Sequence, residues 1–175
     1  MKALTPMKTS ALALLLVPAL VCAQARNDHA LNDGQVRFRV PADWSVMMEK
    51  KDGNPQALVF NVPDPSADGS EDSASVTVKT RRLKSAADFA GAVQAEFDLS
   101  RAQTGYKRDD ASDSSTVHRY LVQRGATRYL VRDRFVLRSD IAVQVRCQRP
   151  LIDGTPASWA NGFDADCDRV NASLD

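Results

Sequence analysis

The sequence is poor in the residue types that usually carry chemistry. It has two histidines and three cysteines in 175 residues, a thin supply for a zinc centre, which draws on several His and Cys at close spacing. It has no glycine-rich phosphate loop, no His-Glu-x-x-His pair and no calcium-loop spacing. No serine stands in a Gly-x-Ser-x-Gly elbow. No cofactor and no metal are therefore expected. Neither sign of charge dominates, with 23 Lys and Arg against 22 Asp and Glu. That balance argues against a nucleic-acid binder or an acidic tail protein. Beyond residue 21 no apolar run is long enough to cross a bilayer as a helix.

What the chain does have begins with a leader. Lys2 and Lys8 precede the apolar stretch from Ala11 to Val21, and Ala23-Gln24-Ala25 offers the small residues at alternate positions that signal peptidase reads. Residues 1–25 are expected to be a cleaved signal peptide, with cleavage after Ala23 as the second choice. Cys22 raises a lipoprotein anchor as a rival, but Val21 before it is not the small residue that lipoprotein processing wants. Loss of Lys2 and Lys8 leaves 21 basic and 22 acidic residues, a net charge of −1 on about 150 residues. That length suits one domain with one core. The expected product is an exported protein of the periplasm, not embedded in the membrane. Cys147 and Cys167 remain, and an even count in an oxidising compartment reads as a disulfide.

Along the mature chain, residues 26–34 (RNDHALNDG) are polar and read as a flexible arm before a domain over 35–175. Gln35 to Val40 alternates strictly, the mark of a half-buried strand. Trp44, Val46 and Met48 alternate again, Ala57 to Val62 is a more continuous apolar run, and Ser75 to Thr80 returns to alternation. Between these strands Pro63 to Ala74 is an acidic, Pro-, Ser- and Gly-rich loop carrying Asp64, Asp68, Glu71 and Asp72. Ser85 followed by Asp88 opens a helix with a capping-box pattern. Its apolar stripe is Ala86, Phe89, Val93 and Phe97, and it should end between Ala102 and Gly105. Three strands follow, the last from Ile141 to Cys147. Thr155-Pro156 then starts a second helix, lined on one face by Trp159, Phe163, Cys167 and Val170. The short turns between strands predict an α+β fold, an antiparallel sheet of about six or seven strands with two helices packed on it. A Cys147–Cys167 bridge would pin the last helix to the sheet.

The phrase Phe38-Arg39-Val40-Pro41-Ala42-Asp43-Trp44, a strand running into Pro-x-x-Trp, resembles the opening of PsbP/DcrB-like domains. The closing order of paired long strands, then a helix with Trp159 and Phe163 ending in Ala172-Ser173-Leu174, is similar as well. The likeness runs over most of residues 35–174 and lies in element order and short local patterns. It implies a PsbP/DcrB-like sandwich. That group includes photosystem II extrinsic subunits, bacterial envelope proteins and secretion-effector chaperones, so it implies binding and assigns no catalytic residue.

The tetrapeptide Arg-Tyr-Leu-Val occurs twice, at 119–122 and 128–131. Gly125-Ala126 between the copies suits a two-residue hairpin turn with glycine first. Counted outward from that turn, Arg124 pairs with Thr127, Val122 with Tyr129, Tyr120 with Val131 and His118 with Asp133. Two candidate sites follow. Arg119, Arg128, Arg132, Arg134 and Arg138 share one face by strand parity. Residues 119–149 hold eight arginines against Asp133 and Asp140. Guanidinium groups suit carboxylate or phosphate partners, so this face is a candidate docking surface; the ordinary alternative is a solvated outer sheet face. His118 with Asp133 on the other face is the second candidate. A carboxylate holding an imidazole is half of a triad, though a buried His–Asp contact commonly serves structure alone.

The sequence thus predicts a non-enzymatic periplasmic module whose partner is another protein. Small size, export, a disulfide-pinned domain and a charged surface suggest an immunity or inhibitor protein that neutralises an antibacterial secreted toxin. The competing readings are an envelope accessory protein holding an anionic lipid or small ligand, and a hydrolase using His118.

Overall fold

The computed structural model describes residues 25–66, 72–109 and 114–175. The expected leader with Cys22, the loop acids Asp68 and Glu71, and residues 110–113 lie outside the described residues.

Strands β1 (Arg26–Leu31) and β2 (Val36–Pro41) form a two-stranded antiparallel sheet. Residues 26–31 are therefore not the loose arm their polarity suggested. They pair residue for residue with β2, and the His29 ring lies against Phe38 and Phe60 at centroid distances of 5.7 and 4.9 Å. Backbone pairing and one amphipathic ring order a segment with little apolar content.

The larger sheet is antiparallel throughout. Its strands are β3 (Ser45–Lys50), β4 (Gln56–Val62), β5 (Ala74–Arg82), β6 (Lys107–Arg108), β7 (Val117–Arg124), β8 (Thr127–Arg138) and β9 (Ile141–Pro150). Their spatial order is β3-β4-β5-β9-β8-β7-β6, so β5 and β9 join the two halves at the centre. A 3₁₀ turn over Ala86–Asp88 leads into helix α1 (Phe89–Arg101), and helix α2 (Ala157–Ala172) follows β9. The expected α+β architecture, antiparallel with two helices, is the one observed. At the start of α1, Asp88 accepts a hydrogen bond from the Ser85 N–H at 3.0 Å. The β7–β8 register is also the one the turn predicted, with His118 opposite Asp133 and Arg119 opposite Arg132. Gly125 takes the positive φ of 55° that the first turn position requires.

Both faces of the large sheet are covered, by different means. One carries the main apolar core. Leu58, Phe60, Val62, Val76, Val78, Val143, Val145 and Cys147 meet Leu31, Val36, Phe38, Val40 and Trp44 from the small sheet and its exit turn. Phe163, Cys167, Val170 and Leu174 from the C-terminal helix and tail complete it. Cys147 and Cys167 are disulfide-bonded, with Cα atoms 6.3 Å apart. The chain end closes the layer, since Arg37 and Asp175 exchange both backbone hydrogen bonds.

The other face carries α1. Val93 and Phe97 pack on Phe135, with Phe89 at the edge, and Tyr120, Val122, Tyr129 and Val131 form a smaller aromatic cluster beside them. The chain returns from α1 to β7 through Gly105, at φ 66°, where a Cβ would lie 2.6 Å from the Gln123 Cβ. Only glycine fits that approach.

The segment expected as a half-buried strand at Val46 and Met48 is an edge strand with every residue exposed. The register shifts between Val46 and Met48, so Met47 bulges, and among the described residues the strand has no pairing partner beyond β4.

Candidate functional site

The arginine face lies beneath the protein's own C-terminal helix. By register, Arg132, Arg134 and Arg138 alternate along β8 on the face shared with Val143, Val145 and Cys147, where α2 packs. Arg132 donates to the Asp164 carbonyl at 2.9 Å and pairs with Asp168 at 3.2 Å. Arg134 reaches the same carboxylate at 3.5 Å. Arg138 donates to the Leu174 carbonyl at 2.7 Å. Arg119, directly opposite Arg132, pairs with Asp109 at 2.9 Å. Two like charges placed across a strand pair are thus drawn apart to separate acids, which relieves their repulsion. Arg128 is exposed and, among the described residues, has no ion pair. Asp164 and Asp168 lie four residues apart on α2, each one residue after Phe163 or Cys167 of its apolar stripe. The sequence therefore held this neutralisation, but not the side of the sheet on which α2 would land.

The other candidate residues sit in a polar cluster sealed under α1. Asp133 is fully buried and its two oxygens accept four hydrogen bonds. Gln144 (3.0 Å) and Arg146 Nε (2.8 Å) donate to one, and Tyr120 OH (3.0 Å) and Arg146 Nη2 (3.0 Å) to the other. Ser100 on α1 donates to the Tyr120 hydroxyl at 3.1 Å, so the chain of bonds ties helix to sheet. Burial, followed by the Asp133 charge, pushes the Tyr120 hydroxyl up to about 12. For Arg146, burial disfavours the charge, but attraction and hydrogen bonding from Asp133 outweigh it and hold the guanidinium above its ordinary value.

His118 is 2% exposed. Its ring stacks on Phe97 at 4.4 Å and on Tyr106 at 5.9 Å, and its Nε2 is 3.0 Å from the Tyr106 hydroxyl. The structure brings His118 and Asp133 into register, but four donors already fill the carboxylate's acceptor sites. The imidazole is buried among the rings of Phe97, Tyr106 and Tyr120. Ser100, Tyr106, Gln144 and Arg146 were not singled out from sequence. Parity along β9 could have found two of them, because Gln144 and Arg146 alternate with Val143 and Val145. Among the described residues no group of three His, Cys, Asp or Glu could hold a metal ion.

Among the described residues, two of the open surfaces bear on binding. One is the β3 edge, where Val46, Met47 and Met48 are 45%, 59% and 53% exposed. The other is a groove between α1 and the end of β5, bordered by Arg81 and Lys84.

No known protein family's profile matches the chain, and no curated protein matches it. Solved structures do match. The Ran-binding protein Mog1p of Saccharomyces cerevisiae aligns over 87% of this chain and 96% of its own, with 14% identity and a TM-score of 0.51. LpqN of Mycobacterium tuberculosis, described as involved in cell envelope biogenesis, aligns over 87% and 90%, with 11% identity and a TM-score of 0.51. A protein of Bacteroides thetaiotaomicron aligns over 87% of this chain, which spans only 48% of that longer chain, with 15% identity and a TM-score of 0.47. Identities this low bear on fold alone, and the fold they share with this chain is of the Mog1/PsbP type.

Proposed function

We propose that this protein is an exported protein-binding module with no chemistry of its own, and more specifically an immunity-type inhibitor of an antibacterial secreted toxin. One contrast carries the reading. His118 and Asp133 are held in a buried network under α1, while three of the five exposed large apolar side chains, Val46, Met47 and Met48, are consecutive on one edge strand; Leu99 and Leu151 stand singly elsewhere. An uncovered edge strand offers backbone hydrogen bonds as well as side chains to an incoming chain. Methionine adapts its shape to a partner. The disulfide supports work outside the cytosol. Mog1p, named as Ran-binding, and LpqN, described in cell envelope biogenesis, lend fold-level analogy to a binding role.

The test is survival of cells that export a candidate toxin together with this protein. Protection is expected from the parent protein and lost in the Met47→Glu, Met48→Glu double variant, which places charge on an exposed strand without touching the core. The Arg128→Glu variant tests the arginine of the predicted face that, among the described residues, has neither an ion pair nor the backbone carbonyl that holds Arg138. Protection that survives the methionine changes removes the β3 edge from the reading.

A further inference from the structure

We propose that the open groove between α1 and the end of β5 docks an acidic, extended segment of the protein partner, an inference that rests on the protein-binding reading above.

The argument starts from charge. Residues 81–84 read Arg-Arg-Leu-Lys, where β5 ends. Arg82 is held by Asp140, which accepts from its Nη1 at 2.8 Å. Arg81 and Lys84 border the groove and, among the described residues, have no ion pair. The one acid on the groove wall, Asp88, is already bonded to the Ser85 N–H. In a protein whose charges nearly balance, and whose other arginines mostly find internal carboxylates or carbonyls, two cations on one groove that lack an ion pair among the described residues are an asymmetry. It fits carboxylates from outside.

The shape argues for a chain. The groove encloses about 700 Å³ and is open to solvent, which suits an extended segment better than an enclosed small molecule. Its helical wall is Ala87, Gly91, Ala92 and Ala95. A Cβ built on Gly91 would meet nothing within 4 Å, so a backbone could approach the helix closely there. The facing wall is fixed before anything binds. Asn54 donates to the Arg82 carbonyl and accepts from the Arg82 N–H, both at 3.0 Å, and the Leu83 N–H bonds the Asp140 carbonyl at 2.8 Å. A preformed wall lowers the ordering cost of binding.

The position ties the groove to the exposed edge. By register, Met48, Val59 and Thr77 share one sheet face, as do Lys50, Ala57 and Lys79, and two residues beyond Lys79 along β5 lies Arg81. A partner seated on the β3 edge could continue along that face and place an acidic segment between Arg81, Lys84 and the helix.

The test titrates isotope-labelled protein with hexaglutamate and follows backbone amide shifts. Shifts are expected at residues 81–95, with affinity falling steeply as salt rises from ~0.05 M to ~0.5 M. Gly91→Leu fills the groove without strain at a helical glycine, and Lys84→Glu reverses one exposed charge. Each should weaken binding roughly tenfold, with the far-ultraviolet circular dichroism unchanged. Shifts centred on Arg128 and the β8 arginines, or unaltered affinity in both variants, overturn the proposal. So does preferential binding to vesicles of phosphatidylglycerol, which would assign the cations to a membrane surface. The survival assay separates the two readings. If Gly91→Leu and Lys84→Glu still protect while the β3 variant does not, the groove proposal fails and the protein-binding reading stands. If no toxin is neutralised, that reading fails while the titration still judges the groove's preference for carboxylates.

Discussion

The two faces of the central sheet are both buried, but they are held by opposite physics. The face under α2 and the small sheet has an apolar centre, with Phe38, Phe60, Val76, Val143 and Val170 and a disulfide across it, and keeps its charges to the β8 side, where Arg132 and Arg134 pair with Asp168 at the partly exposed margin. The face under α1 places a fully buried carboxylate, a guanidinium, a tyrosine and a histidine among its aromatics. The first gains stability in proportion to the area removed from water and tolerates any side chain of the right volume. The second gains little from its polar groups as a net sum, yet loses heavily when one partner is missing. A buried charged network is thus better at specifying one arrangement of helix on sheet than at adding stability.

The sharpest way to break this comparison is a pair of substitutions, one on each face. Asp133→Ala should destabilise by about 3–5 kcal/mol, because it strands Arg146 without its counter-charge. Phe60→Ala should lose a similar ~3–5 kcal/mol through an unfilled cavity. The faces should then differ in rescue. Adding Arg146→Met to Asp133→Leu should recover part of the loss, since no buried charge is then unpaired and only the neutral donors Tyr120 and Gln144 lose their acceptor, whereas no single second change refills the Phe60 cavity. Urea unfolding midpoints read both cases, and failure of the double change to recover stability would mean the network adds net energy of its own.

A smaller effect belongs to the apolar face alone. Replacing both Cys147 and Cys167 by Ala frees a loop closed over a separation of 20 residues and should cost about 3 kcal/mol, measured by the shift in thermal midpoint. On the opposite face, Tyr120→Phe removes the hydroxyl that links Ser100 to Asp133 and should cost about 2 kcal/mol. Hydrogen exchange should show that loss chiefly at α1, leaving the strand pairs of the α2 side as protected as before.

The smallest prediction concerns pH. Burial, then the nearby Lys51 charge, pulls the His29 imidazole below its ordinary 6.5. The folded protein then binds this proton less tightly than the unfolded chain. Its contribution is present above pH 6.5 and is lost as pH falls through that value toward the lowered folded one. Chemical denaturation across this range should show the decline, and His29→Phe should flatten it. The tyrosines act at the other end of the scale. With Tyr120 raised to about 12, the folded state holds its proton longer, so stability should fall between pH 10 and 12.

How much of this was legible in sequence differs by element. The β7–β8 register was readable to the residue because Gly125 fixes a turn and the apolar alternation on either side agrees with it. β1 was not, since four of its six residues are polar or charged, and a strand paired on one side and braced by a single ring leaves no periodicity to detect. β3 misled in the opposite sense. Val46 and Met48 alternate like core residues, but alternation reports that two faces differ, not that anything covers either of them. The candidate site was half visible. His118 and Asp133 were found by pairing, whereas Tyr106 and Ser100 reach the cluster from a turn and a helix that the strand pattern does not contain.

By itself the sequence determined the local structure: the strand pairs with short turns, the two helices and their apolar stripes, and the pair of cysteines that could bridge. These follow from turn chemistry and from periods of 2 and 3.6, which act between residues near in the chain. Only the tertiary structure decided which face of the sheet each helix would cover. That choice put Asp164 and Asp168 over the arginines, sealed His118 and Asp133 under α1, and left the β3 edge and the Arg81–Lys84 groove in water. The physical reason is that a strand's alternation is symmetric between its two faces. Which face meets which helix depends on connections and packing that no single segment encodes.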